Sequence, residues 1–422
     1  MARTLTPNDC HALMNSLAQE ALGQQASIVA TNTSDFVSVG EEVLASGMEN
    51  TLNALSLVLG RTFMAVRPYE AKLKLINAIN TGVYTSRLRK ISFYAREAEA
   101  SGDYNTQLFP DNLKMGADNG QGSNTPPTAT QSMWVQNQPI PLELNFAGKS
   151  TWEESTTVYE DQVKAAFRSE DEFAQFVGGI MTEKANDIET RKEAFNRMTL
   201  LNFMAGVIDI NNSGSVRHMV TEFNARFNSS GTPWTAADVL STYLKEFLAF
   251  FVAEFKKASD LLTYRNLNYH WSPTKTINGV SYDLMRHTPK AKQKAILYQP
   301  LFTEAEALVM PEIFNTQYLS LENYEGVQYW QNFDEPSKIS ITPAIPDVSG
   351  SNSGMQTAGN AIAEDYVIGM LYDEDALMVD YQLEASNTTP LEARKRYRNI
   401  WWTFAKNSIN DFTENAIVFL LD

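Results

Sequence analysis

The sequence predicts an α+β fold in which one domain is interrupted by an inserted module. Three observations lead to this prediction. Six apolar residues, 416–421, precede the final Asp422, and their β-branched and aromatic types are typical of a strand covered on both faces. A long helical pattern covers residues 171–206, and two extended stretches, 87–94 and 133–146, flank a segment rich in Gly and Asn. Because a chain end normally frays, a buried terminal strand must return to a core made by earlier segments, so its domain is discontinuous.

The first sixty residues show two stretches of helical spacing. Apolar residues recur every three or four positions within residues 10–25 and again within 41–60. The polar run 30–34 interrupts the pattern between them. We therefore expect two short helices on a hinged N-terminal arm.

The next region predicts a long β-hairpin. Residues 87–94 fit a strand, and 133–146 also fit extended structure, in which Pro139 and Pro141 favour an edge position. The intervening residues are dense in Gly, Asn, Asp, Thr and Pro, and such long loops in compact proteins are usually functional or disordered. A two-stranded arm has little core of its own, so we expect it to project and to lie on another surface.

The longest helical pattern follows Ser169. Ser169 and Glu172 form a capping-box start, and apolar residues then follow the helical period up to about residue 206. Lys184 and Arg191 interrupt the apolar stripe, which indicates a helix that is partly exposed along its length. We predict that this helix lies across a sheet to which the C-terminal strand belongs.

Residues 215–385 differ in composition and predict an α/β insert. Thr235 and Asp238 cap a helix with one apolar face that extends to Leu262. Further on, the pattern predicts a short helix and two strands, and the acidic turn after the second strand predicts a hairpin leading into the final segment. These elements are placed at 304–308, 339–341, 366–371 and 373–375.

Composition excludes several classes of protein. The 422 residues are 43% hydrophobic, and the longest apolar run, 248–253, is far shorter than the roughly 20 residues of a membrane span. The first residues lack the apolar core of a secretory signal, so we expect a protein that stays in cytosol-like solvent. Cys10 is the single cysteine, which excludes an intramolecular disulfide framework and a thiolate zinc site.

The charge balance argues against sequence-specific nucleic-acid binding. The formal net charge is −16, and a field of that sign repels phosphate backbones. The basic run 394–398 is interpreted as a solvated or ion-paired face.

No catalytic, cofactor or metal site is predicted. The sequence contains no phosphate-binding GxxxxGK loop, and its four histidines lie in unrelated segments. Residues 209–214 resemble the start of a calcium loop, but Val220 occupies the position of the bidentate Glu, so a turn is the better interpretation. Acidic pairs at 153–154 and 373–374 are interpreted as surface or capping groups.

The order of these parts resembles the major capsid proteins of tailed bacteriophages, especially those of small short-tailed phages. The resemblance is carried by the stretch 151–177 leading into the long helix and by 397–419, which contains Trp401 and Trp402. It implies a Hong Kong 97-type capsid fold with an N-terminal arm, an extended β-hairpin loop, a peripheral domain with a long spine helix, and an axial domain.

The resemblance also implies domain boundaries. They are an N-terminal arm (1–60), a connection into the peripheral domain (61–84), the extended loop (85–150), the peripheral domain with the spine helix (151–214), the axial domain (215–385) and the C-terminal strands of the peripheral domain (386–422).

The implied function is that of a major capsid protein. Its copies would assemble as pentamers and hexamers into an icosahedral shell that encloses double-stranded DNA without sequence-specific binding. The resemblance implies a separate scaffolding protein, a portal protein and decoration proteins as further partners, no cofactor, assembly in the host cytoplasm and a final location in the virion. The alternatives are an encapsulin-like compartment, another virion subunit such as a tail or portal protein, and a monomeric hydrolase with a carboxylate cleft.

Six residues are candidates for contacts between subunits. We expect Arg87, Arg89 and Lys90 in the hairpin to guide it onto acidic patches of a neighbour. Trp134 would serve as an aromatic anchor of that interface, and it would equally fit an intrachain core. The remaining two candidates are the cations that interrupt the stripe of the long helix, Lys184 and Arg191.

Overall fold

A computed structural model describes most of the chain. The described residues are 7–23, 29–47, 50–55, 58, 73–79, 87–95, 139–147, 150–210, 214–277, 280–308, 324–347 and 356–422. They form an α+β fold, as the sequence predicts. Among the described residues, no helix is both long and apolar enough to span a membrane.

The N-terminal region contains two helices, α1 (Pro7–Leu22) and α2 (Thr33–Ala45). The second helix begins earlier than the predicted start at 41, because the Asn32 side chain accepts a hydrogen bond from the backbone N–H of Asp35 and caps it. Residues 50–55 are helical again. The predicted break near residue 30 is therefore correct, whereas the predicted stretch 41–60 is divided between two helical segments.

The long helix, α4 (Glu170–Ile210), confirms the predicted one. Its 41 residues correspond to about 60 Å, and Ser169 accepts a hydrogen bond from the backbone N–H of Glu172 at its start. The short helix α3 (Glu160–Ala166) precedes it.

The long helix contributes to two hydrophobic cores. Its first half, including Phe173 and Val177, packs in a core with α1 and α2. Its second half, including Phe203 and Met204, packs in a larger core with the inserted segments. One continuous helix therefore connects the two halves of the molecule.

A four-stranded sheet has the order β1-β15-β16-β4. Its central pair is β15 (Leu377–Thr388) and β16 (Tyr397–Asn410), with β4 (Ser150–Tyr159) antiparallel to β16 and β1 (Asn77–Ile79) parallel to β15. One face of β4 and of the first half of β16 belongs to the core with α1 and α2, and burial alternates there, whereas the second half of β16 has buried residues on both faces.

A five-stranded sheet has the order β5-β17-β14-β8-β9. Its strands are β5 (Val216–His218), β17 (Ala416–Leu420), β14 (Val367–Asp373), β8 (Gln293–Tyr298) and β9 (Tyr324–Val327). Every residue of β17 is buried, which confirms the predicted terminal strand.

The final strand and the long helix belong to the same core, as predicted. Phe419 of β17 and Phe203 of α4 both lie in the larger core, and Phe203 stacks on Phe412 at 5.1 Å between ring centroids. However, β17 pairs with β14 and β5, whereas β16 pairs with β4. Residues 386–422 therefore supply strands to both sheets, which the sequence analysis did not predict.

Two local predictions in the insert are wrong. The turn 373–375 does not close a hairpin, because β14 belongs to the five-stranded sheet and β15 to the four-stranded sheet. The helix capped by Thr235 ends early: α6 (Ala236–Ser241) stops at a turn around Tyr243, and α7 (Leu244–Leu262) carries the long apolar face.

The remaining elements of the insert are short. They are α5 (Met219–Phe227), α8 (Gln299–Leu308) and the strands β6 (Lys275–Ile277), β7 (Val280–Tyr282), β10 (Ile339–Ile341), β11 (Ala344–Pro346), β12 (Gln356–Ala358) and β13 (Ile362–Glu364).

The predicted hairpin has its stem in β2 (Arg87–Phe93) and β3 (Pro141–Ala147), which pair antiparallel over seven residues. We call these two strands the stem. The predicted tip, and Trp134 at the start of the predicted returning strand, lie outside the described residues.

Candidate functional site at the base of the hairpin

The two faces of the stem have different surroundings. Successive side chains of a strand point to opposite faces. Lys90 and Ser92 point toward the body of the protein, where Ser92 is buried. On the opposite face, Ile91 is 51% exposed and Phe93 is 58% exposed. The stem therefore exposes apolar side chains on its outward face, and polar groups on its opposite face bind it to the body of the protein.

Lys90 is bound by two carboxylates. Its Nζ lies 2.5 Å from Asp411 Oδ2 and 2.5 Å from Glu414 Oε1. Both acids are buried in the loop between β16 and β17. Burial alone would lower the pKa of Lys90, but the two carboxylates outweigh it and raise that pKa above its ordinary value.

Arg286 completes the contact between the stem and the body. Its Nη2 donates to Ser92 Oγ at 2.7 Å and lies 3.4 Å from Glu414 Oε1, and its Nε donates to the carbonyl of Thr413 at 3.1 Å. We call Lys90, Arg286, Asp411 and Glu414 the charge cluster. Two cations and two anions thus fix β2 to the loop that precedes the final strand.

The loop that carries both acids is stabilised by its own side chains. Asp411 Oδ1 accepts hydrogen bonds from the backbone N–H of Thr413 at 2.9 Å and from its hydroxyl at 2.6 Å, as in an Asx turn. Asp411 therefore shapes the loop with one carboxylate oxygen and binds Lys90 with the other.

A buried histidine, His270, contacts Asn415, the residue that follows Glu414 of the charge cluster. His270 is 3% exposed; its Nε2 lies 2.6 Å from the carbonyl oxygen of Leu284 and its Nδ1 lies 3.0 Å from Asn415 Oδ1. Asn415 Nδ2 in turn donates to Thr288 Oγ1 at 3.1 Å. Burial lowers the pKa of His270, which favours the neutral ring.

These groups position a structural element, and their arrangement offers no reaction centre. Within the described part of the chain, no three His, Cys, Asp or Glu side chains are grouped to hold a metal ion. The carboxylates are neutralised by cations, and Cys10 is buried in the core with α1 and α2.

The hairpin candidates have different environments. Arg89 is exposed and forms an ion pair with Glu143 of the partner strand at 2.8 Å. Lys90 is occupied within its own subunit by the charge cluster. Arg87 pairs with Ala147 through the backbone at the base of the stem, and Trp134 lies outside the described residues.

Lys184 and Arg191 hold the long helix to the four-stranded sheet. Both lie near the buried Glu154 of β4, Arg191 Nε at 2.5 Å and Lys184 Nζ at 3.6 Å. The guanidinium of Arg191 also lies over the ring of Trp152, 5.5 Å from its centroid. The charges that interrupt the apolar stripe therefore have partners inside the subunit.

The residues predicted to be functional did not include Asp411, Glu414, Arg286 or His270. Lys90 and Asp411 are 321 residues apart, so no local pattern connects them. The only local signal was the sequence Asp411-Phe412-Thr413, which is typical of a turn.

Comparisons with solved structures find phage capsids with low sequence identity. A capsid structure of Staphylococcus phage Andhra has 10% identity and a TM-score of 0.47, with 84% of each chain covered. The mature capsid of bacteriophage PhiM1 has 8% identity and a TM-score of 0.41, covering 83% of this chain and 87% of the other. The capsid of cyanophage P-SCSP1u has 10% identity and a TM-score of 0.41, covering 84% of this chain and 88% of the other.

A family model agrees with the resemblance that the sequence suggested. The model, described as Phi29-like phage major capsid protein, matches residues 94–420, which is more than half of the chain. No curated protein sequence matches the chain.

Proposed function

The chain belongs to the family of Phi29-like phage major capsid proteins, and on this basis we propose that its copies form the pentamers and hexamers of an icosahedral shell. It is a structural protein of the virion and not an enzyme. The shell would enclose double-stranded DNA. The family match over residues 94–420 is the observation that carries this proposal.

The stem is the element best suited to reach a neighbouring copy. Its outward face exposes Ile91 and Phe93 by more than half, and large apolar side chains in that setting favour burial at an interface. Arg89 and Glu143 flank them as an exposed ion pair, which fits the polar rim of such an interface. The charge cluster fixes the stem from the opposite side.

The six predicted interface residues keep distinct roles in this proposal. Arg87 and Arg89 would contact the neighbour directly, and Trp134 would anchor the returning strand there. Lys90, Lys184 and Arg191 would act by holding the stem and the long helix in position, because each has carboxylate partners in its own subunit. We retain the predicted division into peripheral and axial domains as part of the proposal.

Further partners follow from the same proposal. A separate scaffolding protein would guide assembly in the host cytoplasm, and a portal protein and decoration proteins would join the shell. The net charge of −16 supports a container whose wall repels the phosphate backbone and lets the packaged DNA remain mobile.

Co-expression with the neighbouring phage genes tests the role of the stem. The double variant Ile91→Ser/Phe93→Ser should yield folded subunits, because both side chains are largely exposed in the isolated chain. It should form few or no closed shells, since the apolar contact with a neighbour would be lost. Size-exclusion chromatography and negative-stain imaging measure the fraction of protein in shells.

Phe333→Ser is a matched control, because Phe333 is 79% exposed and lies outside the stem. This variant should form shells like the unmodified protein. Normal shells from the stem variant would contradict the proposed contact. Particles that contain packaged enzyme instead of nucleic acid would contradict the proposed role as a genome container.

A further inference from the structure

Residues 73–79, which we call the strap, connect the two sheets. The last three residues of the strap form β1, which pairs parallel with β15 at the edge of the four-stranded sheet. Its first residues are bound by side chains of β8 and β9 in the five-stranded sheet. The strap is therefore attached to one sheet by backbone hydrogen bonds and to the other by two charged side chains, and its Leu73 and Ile76 are buried in the larger hydrophobic core.

Glu325 of β9 binds the beginning of the strap. Its Oε1 accepts a hydrogen bond from the backbone N–H of Leu73 at 2.6 Å, and its Oε2 accepts one from Leu75 at 3.1 Å. Leu73 has a φ of 62°, a conformation that non-glycine residues rarely adopt. The carboxylate thus stabilises a backbone conformation that leucine does not favour by itself.

Lys294 of β8 binds the middle of the strap. Its Nζ donates to the carbonyl oxygen of Leu75 at 2.8 Å and to Asn77 Oδ1 at 2.5 Å. Asn77 in turn donates through Nδ2 to the carbonyl oxygen of Glu374 at 2.8 Å. Lys294 is 7% exposed, so its charge would be costly if these partners were removed and not replaced.

A replacement partner for Glu325 lies on the same face of the sheet. Strand register places Lys294 opposite Tyr372 of β14 and Ile296 opposite Glu325, so Tyr372, Lys294 and Glu325 share one face. Tyr372 is fully buried, and its hydroxyl has no hydrogen-bond partner among the described residues. A buried donor without an acceptor destabilises a structure, and it needs an explanation.

We propose that the strap is a releasable latch between the two sheets, and that Tyr372 and Lys294 take over the Glu325 carboxylate when the strap lifts. In the closed state, Glu325 and Lys294 bind the strap and the Tyr372 hydroxyl is unsatisfied. In the open state, the hydroxyl donates to Glu325, and Lys294 reaches the same carboxylate from the diagonal position on the adjacent strand. Both charges then keep a partner in either state.

The position of the strap in the chain gives the latch a consequence. The strap follows the N-terminal helices and precedes the stem, so it lies between the two limbs in the order of the chain. Lifting the strap would remove one of the connections between the two sheets, which also share the larger core. This inference concerns the subunit alone and does not depend on the proposed assembly.

Hydrogen exchange on the unassembled full-length chain tests the latch. Tyr372→Phe removes the hydroxyl that is unsatisfied when the strap is closed and used when it is open. We expect the amides of residues 73–77 to exchange more slowly in this variant. The expected factor is roughly tenfold, because the open state loses a hydrogen bond to a charged group. Its melting temperature should be equal to or above that of the unmodified protein.

Glu325→Gln should have the opposite effect, because a side-chain amide presents an NH2 group to one of the two backbone N–H donors. Exchange at Leu73 and Leu75 should become faster. In a Glu325→Gln background, Tyr372→Phe should slow exchange less, because the amide oxygen of Gln accepts the Tyr372 hydroxyl more weakly than the carboxylate does.

A matched control is Tyr381→Phe. The Tyr381 hydroxyl donates to Asn196 Oδ1 at 2.5 Å, so its removal should lower the melting temperature, unlike the removal of the Tyr372 hydroxyl. Unchanged exchange of residues 73–77 in Tyr372→Phe, or an equal slowing with Gln at position 325, would overturn the proposal.

Discussion

The two limbs at the N-terminal end of the chain are attached to the body by different physical means. Helices α1 and α2 pack into a core of apolar side chains, in which Phe36 meets Phe173 edge-on with ring centroids 5.5 Å apart. The stem, in contrast, meets the body through the charge cluster, with Lys90 between two buried carboxylates. The first attachment is mainly an apolar surface, with one polar contact between His11 Nε2 and Glu170 Oε1 at 2.6 Å, and the second is a set of directed polar contacts.

The difference matters because apolar burial is non-directional, whereas ion pairs and hydrogen bonds depend on geometry. An apolar contact can stabilise a helix over a range of small displacements. A cluster of charged hydrogen bonds specifies one orientation, and it is costly to break one partner at a time. The stem therefore has a defined direction relative to the final strand, and the helices have a firm but less directed attachment.

The largest effect is expected at the apolar attachment. Phe36→Ala should lower the free energy of unfolding by about 3–5 kcal/mol, because the side chain is fully buried and its removal leaves a cavity. Urea denaturation measures the loss. Glu41→Ala on the exposed face of the same helix is the control and should change the free energy of unfolding by no more than about 0.5 kcal/mol. Similar losses in both variants would contradict the proposed apolar attachment.

A somewhat smaller effect is expected at the charge cluster. Lys90→Met should cost about 2–4 kcal/mol, because it leaves Asp411 without its cation and Glu414 with Arg286 alone, and because Lys90 is 24% exposed and so less desolvated than a fully buried ion. The triple variant Lys90→Met/Asp411→Asn/Glu414→Gln removes three of the four charges of the cluster, leaves Arg286 its hydrogen bonds to Ser92 and Thr413, and should recover part of this loss. A triple variant less stable than Lys90→Met would show that the hydrogen bonds of Asp411 to Thr413 and the contact of Glu414 with Arg286 outweigh the cost of the unpaired carboxylates.

Alkaline pH should affect the polar attachment alone. The pKa of Lys90 is raised above its ordinary value of 10.5, so its stabilising contribution is complete below that value and is lost as pH rises through the folded-state pKa. Above about pH 10.5 the free energy of unfolding should fall more steeply for the unmodified protein than for Lys90→Met. Parallel curves for the two proteins would contradict the ion pairs.

Acidic pH should lower the free energy of unfolding through His270, which lies next to the charge cluster. Burial lowers the pKa of His270 from its ordinary value of 6.5, so the contribution of the neutral ring is present above that value and is lost as pH falls below it. His270→Gln should remove this dependence. Chemical denaturation between about pH 7 and about pH 5 should therefore show a smaller slope for the variant.

The smallest effect is expected on the exposed face of the stem. Arg89→Ala removes an ion pair whose side chains are 58% and 40% exposed, so the free energy of unfolding should change by less than about 1 kcal/mol. The same substitution should lower the fraction of protein in shells if Arg89 contacts a neighbouring subunit. A large loss of subunit stability would mean that the exposed pair holds the stem, which would remove the contrast with Lys90.

Much of the secondary structure could be predicted from the sequence because its signals are local. Ser169 and Glu172 marked the start of the long helix, and the apolar run 416–421 marked a strand buried on both faces. The start of α2 and the division between α6 and α7 were predicted wrongly, because cap and turn geometry at Asn32 and Tyr243 outweighed the apolar spacing.

The sequence by itself determined the long helix, the paired strands of the stem, the buried terminal strand and, through their order, the resemblance to phage capsid proteins. Only the tertiary structure decided that β16 and β17 join different sheets and that Lys90 meets Asp411 and Glu414. Helical and strand periodicity act over a few residues, whereas the partner of a strand or a charge depends on the path of the whole chain.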